Sequence, residues 1–385
     1  MKQSNERILT THCGSLARPK QLLDLMKARL SGGTFDAMAY EQAVAGAVKE
    51  SVRAQADAGI DVVTDGEQSK TGFFAYVRER LSGFEPYEGG RERARAIAEK
   101  QAFPEYYEEY FKRDAYSLMP RAPLICTGPI TYIGHEDLRR DIENLKSALS
   151  GTDAIEAFMP ATAPRAYGAA NSYYASEDEF VEAFAEALRE EYLAIVDAGF
   201  ILQVDDPVLT ELASGDSPKG KEEVRRQAER YIEVLNHALG GIPEEKVRFH
   251  TCYGINEGPR IFDVPMAEIA GLMLKINAGA YSFEAANARH DHEWRIWQDI
   301  NLPEGKVLIP GLITHTSNIV EHPELVAQRL LNYASVVGRE NLIAGADCGF
   351  SSQATYAPDV HPTIVWPKFQ ALAEGARIAS SQLWR

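Results

Sequence analysis

Eight short runs rich in Val, Ile, Leu and Phe recur along the chain, at 8–14, 61–66, 124–130, 200–206, 247–254, 280–286, 307–314 and 341–349. Each has the length of a β-strand. Between most of them lie longer stretches in which Ala, Val, Leu and Phe return at three- and four-residue steps, the period of a helix with one buried face; 40–57 and 177–197 are the plainest. Gly59 in DAGIDVV and Gly199 in DAGFILQV stand where such a helix gives way to the next strand, because glycine takes the left-handed conformation that stops a helix cleanly. Strand then helix, repeated eight times, predicts an α/β fold: a (β/α)8 TIM barrel of parallel strands.

One stretch breaks this rhythm. Residues 73–120 are too long for a plain connection after strand two and are rich in Tyr, Phe, Arg and Glu. A helix over 91–102 is expected within them, and the segment reads as an extra structural layer or subunit contact in preference to a lid over the barrel mouth. It leaves room for a homo-oligomer. No internal repeat or low-complexity linker divides the chain, so 1–385 is read as a single catalytic barrel domain with an elaborated region after strand two.

Composition narrows the function classes. The 385 residues are 45% hydrophobic and 25% charged, the profile of a soluble globular protein, and the formal net charge is −16. An acidic surface of that size repels phosphate backbones and anionic lipid heads, so neither nucleic acid nor membrane is an expected partner. No uninterrupted apolar run approaches the about 20 residues that a membrane span needs. The opening MKQSNERILT lacks the apolar core of a secretion signal. The four cysteines, Cys13, Cys126, Cys252 and Cys348, are too few for a disulfide framework in so long a chain. A reducing cytoplasm is the expected location, where thiols are free to bind metal or react.

The chemistry concentrates at the strand tips, where barrel enzymes keep their catalytic groups. FHTC places His250 and Cys252 two apart on strand five, and alternate residues of a strand face the same way. SFE ends strand six at Glu284, and ADCG ends strand eight at Cys348, just before a glycine that lets the backbone turn. Alone, each has a bland reading: His-x-Cys as core packing, a cysteine as a small hydrophobe, a glutamate as a solvated loop residue. Together, an imidazole, two thiolates and a carboxylate make a tetrahedral Zn2+ site, and soft thiolates select zinc over magnesium or calcium. His12, beside Cys13 at the end of strand one, should face the barrel mouth or its wall and is a further candidate for substrate contact. His290 and His292, in HDHEW, read as surface residues, and Cys126 as core on strand three.

At these residues the sequence resembles the catalytic C-terminal barrel of cobalamin-independent methionine synthase, within the uroporphyrinogen decarboxylase-like group of TIM barrels. The likeness runs over nearly the whole chain with the motifs in the family's order. It implies that His250, Cys252, Glu284 and Cys348 ligate zinc, with Glu284 able to loosen and make room for a substrate sulfur. It implies that Gly14 and Ser15, in GSLARP, hold an amino-acid carboxylate through backbone N–H groups. Glu67, in DGE, and Asp205, in QVDDP, would hold the ammonium of homocysteine, and His315 at the end of strand seven would shuttle a proton. The activity expected is zinc-dependent thiol methylation. His135 stands where the family carries a folate-stacking tryptophan, and the family's complete enzyme has a second barrel. Both departures tell against the family's folate and suit a methylated corrinoid protein or a small methyl compound, so the donor expected is one of these three.

Two other readings use the same residues. A zinc enzyme alkylating coenzyme M with an epoxide would need cations for a sulfonate, and Arg18 and Lys70 lie in the strand-one and strand-two loops. A metal-free decarboxylase or binding barrel would not need Cys252 at all. The carboxylate pair favours the first reading, since Glu67 and Asp205 attract an ammonium and repel a sulfonate.

Overall fold

A computed structural model describes the chain except residues 33–34, 88–96, 114–117, 119–123, 165–168, 214–219 and 255–257. The strands, in chain order, are β1 (Leu9–Thr10), β2 (Val62–Val63), β3 (Phe84–Pro86), β4 (Leu124–Cys126), β5 (Glu156–Thr162), β6 (Ala170–Asn171), β7 (Ile201–Asp205), β8 (Val247–Thr251), β9 (Ala280–Phe283), β10 (Val307–Ile313) and β11 (Ile343–Ala346). Eight of them run parallel in the order β1-β11-β10-β9-β8-β7-β5-β2. A parallel bridge between Thr11 and Val62, with Asp61 N donating to Thr10 O at 3.1 Å, brings the two ends together. The result is a TIM barrel, as the alternation of runs predicts.

One strand assignment is corrected. The third barrel strand is β5, not 124–130. β5 pairs with β2 on one side and with β7 on the other, Phe158 opposite Ile201 and Thr162 opposite Asp205. Its sequence EAFMPAT carries a mid-strand proline and two alanines, a weak β signal that buried packing overrides. The run at 124–126 instead forms β4 of a separate three-stranded sheet, antiparallel to β3 and parallel to β6. Cys126 is buried there, outside the barrel wall.

The helices follow their sequence cues. Helix Glu177–Asp197 starts at Ser176, whose hydroxyl accepts from Glu179 N at 3.1 Å, while Glu179 Oε2 accepts from Ala175 N, just before the cap, at 3.1 Å. It ends at Gly199, with φ 97°. Helix Ala37–Asp57 is capped by Asp36 and buries Val44, Val48, Val52 and Gln55 on one face. Burying a valine side chain fully contributes about 1.5 kcal/mol or more. Within 73–120 the described residues include β3 and helices Val77–Arg80, Ile97–Ala102 and Pro104–Arg113; the remainder of the helix expected over 91–102 lies outside the described residues. This segment is tied to the barrel's helices by buried Arg80, which pairs with Asp141 and with Glu191, and Tyr76 and Tyr132 also donate to Glu191. Among the described residues no helix is long and apolar enough to cross a membrane.

The barrel interior is partly polar. Arg248 of β8 lies fully buried across it, donating to Thr11 Oγ1 at 2.9 Å and His12 O at 2.7 Å, with its guanidinium 4.0 Å from the Phe158 ring centre. These bonds fix the tip of β1, the floor of the site described next.

Candidate active site at the barrel mouth

Each strand tip delivers its side chains to the same end. β8 runs into His250 and Cys252, β11 into Asp347 and Cys348, β7 ends at Asp205, β1 continues to Cys13 and Ser15, and the turn after β2 carries Glu67. Cys13, Ser15, Glu67, Asp205, His250, Cys252 and Cys348 line one small cavity. Two glycines make the approach close enough. A Cβ on Gly14, whose φ is 128°, would meet Pro160 at 2.8 Å and Glu67 Oε1 at 3.0 Å; one on Gly349 would fall 1.9 Å from Ser15 Oγ. Glu67 itself holds a left-handed φ of 55°, a strain that persists only where surrounding contacts enforce it.

His250, Cys252 and Cys348 offer ligand atoms that all lie within 4.8 Å of one another, and all three residues are buried. His250 Nδ1 faces Ser282 Oγ at 3.1 Å and Cys13 Sγ at 3.6 Å. Its Nε2 is buried without a hydrogen-bond partner among the described residues. An outer hydrogen bond on one ring nitrogen with the other left bare is how a metal-ligating histidine is oriented. The contact with Cys348 holds the Cys252 thiol well below the ordinary thiol range, and the same contact, with burial, pushes Cys348 well above it. Burial opposes charging His250, but charge on Cys13 and Cys252 raises its pKa well above the ordinary value. Two thiols with an imidazole are a soft, zinc-preferring donor set.

Glu284, expected as the fourth ligand, does not join this set. It accepts from Tyr253 N at 2.9 Å, from Arg260 Nη1 at 3.0 Å and from Asn287 Nδ2 at 3.1 Å. Burial alone would raise its pKa; Arg260, then His315 and these hydrogen bonds, bring it down to about 2. Its close neighbours are His315 and Asp347, whose ligand atoms lie within 4.8 Å of it and of each other. Neither ring nitrogen of His315 has a hydrogen-bond partner among the described residues, and burial lowers its pKa, favouring the uncharged imidazole. Asp347, which the sequence did not single out, accepts from Ala285 N at 2.8 Å and Ala286 N at 2.7 Å through Oδ1, and burial together with Glu284 raises its pKa to about 7.

Glu67 and Asp205 both line the cavity. Asp205 accepts from Gln203 Nε2 at 2.7 Å, and burial, with Glu67 nearby, lifts its pKa to about 7. Burial also raises Glu67, whose Oε2 has no hydrogen-bond partner among the described residues. Arg18 and Lys70 are otherwise engaged. Arg18 donates to Leu16 O at 3.2 Å, Glu67 O at 2.8 Å, Lys70 O at 2.9 Å and also to Ser351 O. Lys70 Nζ donates to Pro160 O at 2.5 Å and sits 4.3 Å from the Tyr76 ring centre. Neither is among the residues lining the cavity.

Three expectations about histidines are corrected. His12 does not face the cavity: its Nε2 meets Gln55 Oε1 at 2.8 Å, its Nδ1 accepts from Gly14 N at 3.2 Å, and its ring packs 4.9 Å from Phe369. With both nitrogens used in the wall and its pKa lowered to about 4 by burial, it is a structural residue. His135 lies at the exposed start of helix His135–Leu149, paired with Glu190 at 3.4 Å and outside the cavity lining. His292 is exposed, but His290 is buried between Glu293 at 2.8 Å and Asp263 at 3.3 Å, with its ring stacked on Tyr253.

Comparison with known proteins gives a consistent picture. The family model described as "Cobalamin-independent synthase, Catalytic domain" matches residues 8–158 and 162–358. A methionine synthase of Saccharolobus islandicus is 24% identical over 382 residues, covering 98% of this chain and 96% of that one. A methionine synthase of Sulfolobus acidocaldarius is 27% identical over 246 residues, covering 64% of this chain and 61% of that one. A 5-methyltetrahydropteroyltriglutamate–homocysteine methyltransferase of Vibrio vulnificus is 22% identical over 89% of this chain, which spans 39% of that longer protein. Among solved structures, a B12-independent methionine synthase from a Shewanella species, in complex with selenomethionine, superposes with a TM-score of 0.73 at 20% identity, covering 98% of this chain and 99% of the other.

Proposed function

Since the chain belongs to the family of cobalamin-independent synthase catalytic domains, we propose that it is a zinc-dependent methyltransferase acting on the sulfur of a homocysteine-like amino-acid thiol. The observation that carries this reading is the buried His250, Cys252 and Cys348 set, its bare His250 Nε2 turned to the same cavity as the Asp205 and Glu67 carboxylates. These residues fit a bound metal, which would supply the Lewis acidity that keeps a substrate thiol deprotonated at neutral pH. The substrates named for the longer Vibrio vulnificus relative, homocysteine and a methylated pterin, point the same way.

The chain's own groups divide the remaining work. Asp205 and Glu67 bind the substrate ammonium, and Ser15, in the turn whose Gly14 N–H is held by His12 Nδ1, receives its carboxylate; together they orient the sulfur toward the three candidate metal ligands. In the displacement, a sulfur–carbon bond forms as the carbon–donor bond breaks, and the thiol's proton is lost while the departing donor gains one. His315, neutral and with both nitrogens bare, is suited to carry a proton across the site. The methyl donor is a separate molecule.

The coenzyme M reading is disfavoured by where the cations go. A sulfonate requires positive groups in the cavity, and the Arg18 and Lys70 side chains bond backbone carbonyls outside its lining, with their charge acting on Glu67. The decisive experiment is metal analysis of the pure protein followed by zinc-edge X-ray absorption during titration with homocysteine and, in parallel, coenzyme M. One zinc per chain and a new zinc–sulfur contact with homocysteine alone are expected. A metal-free active protein, or a response to coenzyme M in place of homocysteine, would overturn the assignment.

A further inference from the structure

Glu284 stands next to the three candidate ligands yet has both oxygens occupied elsewhere. Oε1 takes Tyr253 N, and Oε2 takes Arg260 and Asn287, at 2.9–3.1 Å. Glu284 and Arg260 are both buried, so this charge-assisted contact is among the stronger interactions of the mouth. Arg260 is itself anchored. Its Nη2 donates to Gly254 O at 2.7 Å, and Asp263 lies 3.6 Å from its Nη1. Asp263 in turn meets His290, which is backed by Glu293 and stacked at 3.9 Å on the ring of Tyr253, the residue after Cys252. Arg260 also adopts a left-handed φ of 56°, an unfavourable conformation that its contacts sustain.

We propose that Arg260 is a positioning residue which, with Tyr253 N and Asn287, forms an off-metal seat for Glu284, so that the fourth position of the metal opens to the substrate sulfur. The proposal rests on the reading of the metal centre given above. Catalytic zinc sites keep three protein ligands and an open position, whereas a closed set of four is structural. A carboxylate released from the metal into a buried void would be left as an uncompensated charge. The seat removes that obstacle by offering three donors at the place where Glu284 lands. Tyr253, immediately after Cys252 in the chain, ties the seat to the strand that carries two of the ligands.

The test uses the full chain loaded with Co2+, whose visible spectrum reports coordination number and thiolate ligation, together with metal affinity by chelator competition. Wild-type metal content is measured first: a chain that takes up neither Co2+ nor Zn2+ refutes the metal centre itself, a result distinct from failure of the seat. With metal bound, Glu284→Gln should keep one ion per chain. Arg260→Met should let Glu284 close on the ion, so that metal affinity rises and the homocysteine-induced spectral change needs roughly tenfold more thiol. Arg260→Lys, which keeps a cation, should restore much of the thiol response, something a purely structural arginine would not predict. Asn287→Ala should shift the response in the same direction as Arg260→Met and carries the test if the latter does not fold. A wild-type thiol response in Arg260→Met or Asn287→Ala, or complete loss of metal in Glu284→Gln, overturns the proposal.

Discussion

A buried carboxylate with a raised pKa is a sensor of the charge placed beside it. Asp205, lifted to about 7 by burial and by Glu67, is largely protonated in the free protein below neutrality and cannot then attract an ammonium. Homocysteine affinity should therefore climb as pH rises through about 7. Asp205→Asn should flatten that climb and weaken binding roughly tenfold or more, the loss of one charge-assisted hydrogen bond, while leaving metal content intact. Calorimetric titration of wild type and variant across neutral pH checks both, and an unchanged affinity would remove the ammonium site. The same shift has an opposite sign for stability. The folded chain holds a proton on Asp205 that the unfolded chain releases near its ordinary value of 3.8, so this group's contribution to the free protein's stability is lost as pH rises from there to about 7. At this scale the clustering of His250, Cys252 and Cys348 was legible, because strand alternation aligns His250 with Cys252 and glycine marks the turn at Cys348, whereas Glu284 falls in a neighbouring group. His12 was not, because its partner Gln55 comes from a helix far along the chain, and Arg260 was not, because a lone arginine in a loop carries no motif.

Elements hold these residues in place through their ends. The turn after β10 carries His315 and is strapped by Lys368, fully buried on helix Pro362–Leu383, which donates to Glu321 at 2.7 Å and to Ile319 O at 2.5 Å. Glu321 Oε1 in turn accepts from Thr314 N at 2.8 Å. Lys368→Met would leave Glu321 buried and uncompensated, and a loss of about 3 kcal/mol of stability is expected, with turnover falling as the His315 turn loosens. Denaturant midpoints and steady-state rates measure the two effects; an unchanged midpoint would show that the strap is idle. Helix Glu177–Asp197 was readable, since its apolar residues return at three- and four-residue steps and Gly199 marks its stop. β5 was hidden, because Pro160 and its alanines look unlike a strand until neighbours on both sides complete it.

At the scale of the whole molecule, one apolar cluster joins residues from Ile8 to Ala379, and the Thr11–Val62 bridge draws the first strand onto the second. We expect the chain to unfold as one unit, with a single calorimetric transition whose van't Hoff and calorimetric enthalpies agree. Two resolved transitions would place a domain boundary inside the barrel. Arg18 has a consequence for anyone who would redesign the acceptor range. From the connection after β1 it reaches backbone carbonyls of the connections after β2 and β11, at Glu67, Lys70 and Ser351. Those three connections are one graft: transplanting any of them alone from a relative would strand the guanidinium, and only moving all three together preserves the lip against which a new acceptor must fit.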